Sequence, residues 1–209
     1  MFINNCKHFD RESVFWSIEL RWITQRLLSC FGAVMFFLTL LAAFNAQSLE
    51  AGDRALDFRL PILTRLNEAD SPAQFKESSL YRVVSLSDYL GTMVYVDFWA
   101  SYCLPCRKSF PALSKLRDRF DRQTFEVLAI SNDFNPKESL RFIKAYQATF
   151  PVLSDPTGLI AKKYGVEALP KGFLIDAKGR VLLVHEGFQS EDIHDILAPV
   201  LEFSSRHSE

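Results

Sequence analysis

From Val94 to Trp99 the chain is apolar at every position except Asp97. That pattern suits a strand covered on both faces better than an alternating, half-exposed one. Downstream, Phe110, Leu113, Leu116 and Phe120 recur at helical spacing and predict a core-facing helix, which Pro111 is expected to kink. Phe125 to Ile130 reads as the next strand. Asn135-Pro136-Lys137-Glu138 then carries a helix cap, a proline at the first helical position and a capping-box acid, with the helix continuing through Leu140, Ile143 and Tyr146. Pro151 to Leu153 is a short extended piece, and Gly158 to Tyr164 a short helix stopped by Gly165. Phe173–Asp176 and Val181–Val184, joined across Ala177-Lys178-Gly179-Arg180, predict a β-hairpin. Ser190-Glu191-Asp192 opens a last helix with Ile193, Ile196, Leu197 and Val200 on its apolar side.

Upstream, Asp57–Leu60 and Arg82–Leu86 read as two strands of a hairpin separated by a polar excursion, Thr64 to Tyr81. After this hairpin the principal elements run β-α-β-α-β-β-α without an internal repeat. The pattern predicts an α/β layered fold around one mixed sheet, with an N-terminal β-hairpin extension.

The first 48 residues follow a different pattern. Leu27 to Phe44 holds no charge over about 18 residues, close to the roughly 20 that span a bilayer. Arg21 and Arg26 precede the run, whereas Asn45 to Asp53 has no basic residue. This asymmetry predicts a signal or anchor segment over residues 1–48 and places the domain over residues 49–209 outside the cytoplasm. Ala46-Gln47-Ser48 is a weak cleavage site, and the sequence leaves open whether it is cut.

Composition changes this picture little. The 209 residues are 48% hydrophobic with 19 Phe, enough for a sizeable core, and 24 Lys+Arg against 25 Asp+Glu show no basic patch pointing to nucleic acid. Cysteine usage changes it most. An exported domain ordinarily pairs its cysteines structurally, but after the leader only Cys103 and Cys106 remain. They are two residues apart, follow the apolar strand, and stand where Pro105 marks a helix start. A helix start favours a thiolate, and in such motifs the attacking Cys reaches a pKa of roughly 3.5–7.5 against about 8.5 for a free thiol. A structural zinc site needs four ligands, and no second C-x-x-C exists. Covalent haem attachment needs His after the second Cys, where Arg107 stands. The pair therefore predicts thiol–disulfide exchange without metal or cofactor.

Val96-Asp97-Phe98-Trp99-Ala100 followed by C-x-x-C and a proline five residues beyond Cys106 resembles thioredoxin. The segments Gly52…Asp57-Phe58, Ser85 to Gly91, and Phe173-Leu174-Ile175-Asp176 with Gly179-Arg180 resemble its extracytoplasmic TlpA/ResA-like branch. The resemblance covers about Leu49 to Phe203 and implies a thioredoxin-like fold. It implies that Cys103 attacks a partner disulfide and Cys106 resolves the intermediate. It also implies a buried acid, Asp97, that moves the proton of Cys106, and a cis proline, Pro170, opposite the cysteines. Trp99, Tyr102, Leu104, Leu169 and Pro170 would form the docking surface. The implied partners are exported thiol or disulfide proteins, apocytochrome c among them, and a membrane electron donor. The sequence departs from many members of this branch at Tyr102, Ser109 and Lys171. Two rival readings stay open: the same site as an oxidant or isomerase, and a Cu(I)-handling module, for which His185 and His194 read as surface residues.

Overall fold

The computed structural model describes residues 48–63 and 82–207. The apolar run 27–44 and the excursion 64–81 lie outside the described residues. The described residues all belong to one compact unit, Gln47–Glu209. Among them no helix is long and apolar enough to cross a membrane.

Seven strands and four α-helices are described. The strands are β1 (Arg59–Pro61), β2 (Val83–Ser85), β3 (Met93–Trp99), β4 (Phe125–Ser131), β5 (Val152–Ser154), β6 (Lys171–Ile175) and β7 (Val181–Glu186). The helices are α1 (Cys106–Arg117), α2 (Pro136–Tyr146), α3 (Leu159–Lys163) and α4 (Asp192–His207). Strands β3 to β7 form one sheet in the order β5-β4-β3-β6-β7. The β3–β4 and β4–β5 pairs are parallel, and the β3–β6 and β6–β7 pairs antiparallel. This is the mixed sheet expected. The piece read as merely extended, Pro151 to Leu153, supplies a full edge strand because it pairs with Ala129–Ser131.

Every residue of β3 is buried. Side chains alternate between faces, so the strand feeds two cores. Met93, Tyr95 and Trp99 join Phe110, Leu113 and Leu116 of α1, Phe142 of α2, and Ile196 and Val200 of α4. Val94, Val96 and Phe98 join Phe58, Leu60, Leu86, Ala161 and Tyr164 on the other side. The predicted cap of α2 forms, with the Asn135 side chain accepting the Lys137 N–H at 3.1 Å. Helix α1 runs through Pro111 but ends at Arg117, short of Phe120, which instead packs on Phe125 at 5.8 Å.

The N-terminal stretch crosses one face of the sheet and fastens to both of its edges. Gly52 N–H donates to Val181 C=O (2.8 Å), Val181 N–H to Asp53 C=O (2.9 Å) and Ala55 N–H to Gly179 C=O (2.9 Å), at the start of β7. Ten residues on, Ile62 bridges to Leu153, and Leu63 N–H donates to Val152 C=O (2.7 Å) on β5. Between these points Phe58 and Leu60 plug the second core.

Glu126 is the one charged residue of β4 and is buried. Its carboxylate accepts Arg117 Nε–H (3.1 Å), Arg122 Nη1–H (2.9 Å) and the Val127 amide (2.9 Å), so the end of α1 and the following loop are tied to the sheet. Removing one partner of a buried pair strands the other charge. Glu126→Ala is expected to destabilise the oxidised domain by about 3 kcal/mol, read by urea denaturation, and Arg122→Ala, on the exposed side of the pair, by less than about 1 kcal/mol.

Candidate redox site

The site lies where β3 gives way to α1. Cys103 N–H donates to Ala100 C=O (3.0 Å), closing a turn, and Cys106 begins the helix behind Pro105. Cys103 and Cys106 are joined by a disulfide with their Cα atoms 5.3 Å apart. The Cys106 amide, one of the free donors of a helix start, donates to Cys103 Sγ at 3.3 Å. That hydrogen bond strengthens when the sulfur becomes a thiolate. Cys103 is 6% exposed and Cys106 is sealed. Both are buried, and Cys103 is the less buried of the two.

Two residues unremarked in the sequence hold and border this turn. Asp133, buried just past β4, accepts Ser101 N–H at 3.0 and 3.1 Å through its two oxygens and Ser101 Oγ–H at 2.9 Å. It also accepts Ser139 Oγ–H at 2.8 Å, linking the turn to α2. The next residue, Phe134, is 89% exposed. Its only sequence signal is a lone aromatic within the polar run Ser131 to Asn135.

Asp97 is 2% exposed. Being two residues from both Tyr95 and Trp99 on β3, it points to the face that carries Cys106 and α1. Burial alone pushes its carboxyl up to about 8, and Oδ2 has no hydrogen-bond partner among the described residues. A carboxyl so placed is protonated at neutral pH and close to the balance point at which a proton is readily given or taken.

Tyr102 (71% exposed) and Leu104 (67% exposed) flank Cys103 in the chain. Leu169 is half-buried and packs on the core cluster that includes both cysteines, and the Leu169–Pro170 bond is cis. Trp99 requires correction. It is fully buried, with ring centroids 4.5 Å from Phe110 and 4.6 Å from Phe142, and contributes nothing to the surface. Lys171, one of the departures from the branch, starts β6, is buried, and its ammonium bonds Gly165 C=O (3.1 Å) and Glu186 (2.8 Å). His185, read as a surface residue, is half-buried on β7 against Tyr95.

Comparison with known proteins accords with this geometry. Residues 51–184 match the AhpC/TSA family. The chain belongs to that family. Within it, the chain is 35% identical over 109 residues to the thiol-disulfide oxidoreductase ResA of Bacillus thuringiensis subsp. konkukian, covering 52% of this chain and 63% of that relative. It is 32% identical over 130 residues to ResA of Bacillus subtilis, covering 62% and 73%. The chain thus spans less than two thirds of the first relative's length. A crystal structure described as a thiol:disulfide interchange protein DsbE from Chlorobium tepidum superposes with a TM-score of 0.63 at 37% identity, covering 75% of this chain and 99% of that one. The fold is thioredoxin-like, as the motifs implied.

The Asp97 carboxyl sets a pH dependence with a definite sign. Its folded pKa, about 8, lies above the value near 4 of an unfolded aspartate. The folded state therefore holds a proton that the unfolded state has released, and stability falls as pH rises from about 4 to about 8. Asp97→Asn is expected to remove this slope. Denaturation of the oxidised domain at pH 5 and pH 8 should show the variant gaining on the wild type by a few kcal/mol at the higher pH.

Proposed function

We propose that this chain is an extracytoplasmic thiol–disulfide oxidoreductase that reduces disulfides of exported proteins. The observation that carries the reading is the Cys103–Cys106 pair at a helix start, with a helix amide on Cys103 Sγ and Cys103 the less buried of the two. The charge-free run 27–44 behind Arg21 and Arg26 supports export, and the ResA and DsbE relatives support the chemistry.

In the reduced protein the Cys103 thiolate attacks one sulfur of a partner disulfide. A mixed disulfide forms, and the partner's other sulfur leaves as a thiolate and takes a proton. With Asp97 in its ionised form, the minor one below about pH 8, Cys106 then gives its proton to the Asp97 carboxylate and attacks Cys103 Sγ, releasing the partner's second sulfur. Two electrons have passed to the partner, and Cys103–Cys106 is left as the disulfide seen here. A membrane-bound dithiol donor restores the thiols. Tyr102 and Leu104 receive the partner, with Phe134 extending the apolar rim, while Leu169 offers its backbone to an extended segment. The same geometry serves apocytochrome c or any exported disulfide of comparable access.

Cys103→Ser is expected to abolish reduction of an insulin or peptide disulfide. Cys106→Ser should retain the first attack and accumulate a mixed disulfide, visible as a dithiothreitol-sensitive adduct on non-reducing gels from the exported fraction of cells. Full activity in Cys103→Ser would refute the assignment.

A further inference from the structure

Asp97, Gly172 and His185 stand in one cross-strand row, since Asp97 pairs with Gly172 on β6 and Gly172 with His185 on β7. Residues opposite one another in antiparallel pairs share a face. The row therefore lies on the side covered by α4, where Tyr95 and Leu174 also point. The middle position has no side chain, and the Tyr95 hydroxyl fills its place. A Cβ added at Gly172 would lie 1.9 Å from Tyr95 Oη. Gly172 does not have the positive φ that usually calls for glycine; it is required here by close approach.

This seat fixes what the hydroxyl can reach. Opposite Cβ positions in a sheet are about 4.5–5.5 Å apart, so the Tyr95 hydroxyl, seated over Gly172, occupies the space between the side chains of Asp97 and His185. On the His185 side the contact is 3.4 Å to Nδ1. On the Asp97 side lies a carboxyl whose Oδ2 has no partner among the described residues. Beyond the ring, His185 Nε2 lies 3.8 Å from Asp195 Oδ2 at the start of α4. Asp192 completes the group, with ligand atoms of the three side chains within 4.8 Å of one another. Asp195 is largely exposed, so the row ends in water.

We propose that Tyr95 and His185 form a proton path between buried Asp97 and solvent at Asp195, with both acting as positioning residues for the exchange reaction. The inference rests on the function proposed above. When ionised Asp97 has taken the proton of Cys106, the carboxyl turns its O–H onto Tyr95 Oη and protonates it as the Tyr95 proton moves to His185 Nδ1. His185 then releases its Nε2 proton to Asp195 and water. One proton leaves and no electron moves. Reduction of the disulfide runs the same steps inward and returns every group to its starting form. Burial and the charges of Asp97 and Asp192 hold the Tyr95 phenol protonated, so it hands protons on without being left as a phenolate.

The test is stopped-flow oxidation and re-reduction of the purified protein by a model disulfide and dithiol, in H2O and D2O. Tyr95→Phe keeps the ring and removes the hydroxyl, and His185→Gln is an independent break in the path should the first variant fold poorly. Each is expected to slow both half-reactions at least about tenfold, below the 10²–10⁴ of direct acid–base catalysis because water still leaks to the site. The slowed step should show a larger solvent isotope effect than in the wild type, with the midpoint potential of the Cys103–Cys106 couple unchanged. Wild-type rates in both variants would overturn the path, as would a slowing matched by a shift in potential, which marks a merely structural role. A wild-type protein unable to exchange with any dithiol would instead remove the function on which the path rests.

Discussion

A carboxyl group in the middle of a strand sealed on both faces is the constraint from which the rest follows. Hydrophobic packing around β3 holds the sheet together, and Asp97 interrupts that packing without a basic partner to neutralise it. Burying an ionised carboxylate in this setting costs several kcal/mol, so the group keeps its proton. The domain thereby carries a neutral acid beneath its reactive sulfurs, poised near the pH at which thiols ionise.

The reactive turn is held by a second carboxylate used in the other way. Asp133 is also buried, but donors from Ser101 and Ser139 converge on it. Hydrogen bonds of this kind offset the cost of burying a polar group. The two buried acids thus differ in their surroundings: Asp97 has an oxygen without a partner among the described residues, and Asp133 is ringed by donors. Phe134 follows directly on Asp133 and is 89% exposed.

Features set by local sequence were legible in advance. The C-x-x-C pair, the cap at Asn135 and the hairpin around Gly179 depend on neighbours in the chain, and each formed where expected. Features set by pairing were not. Val152–Ser154 acquires strand character from Ala129–Ser131, which no three-residue window contains. Trp99 sits in a run with no polar position to mark an outward face apart from buried Asp97, so its direction could not be read from alternation. His185 looked solvated because its surroundings come from β3 and α4, far off in sequence. The seat of the Tyr95 hydroxyl over Gly172 was likewise invisible, since the glycine carries no unusual backbone angle to advertise it.

The strap formed by residues 52–63 has a bearing on how the domain can be cut and handled. Open strand edges are templates for unwanted pairing between chains, and here a single short segment closes off both flanks of the sheet, at Val181 and at Leu153. A chain trimmed to begin at β3 would keep its two sulfurs and most of its first core, yet it would expose two bare borders and an unplugged greasy floor where Phe58 and Leu60 had been. The smallest self-sufficient piece therefore starts ahead of Gly52, and what resembles a dispensable preface to the redox motif is the selvedge that keeps neighbouring molecules from being woven together.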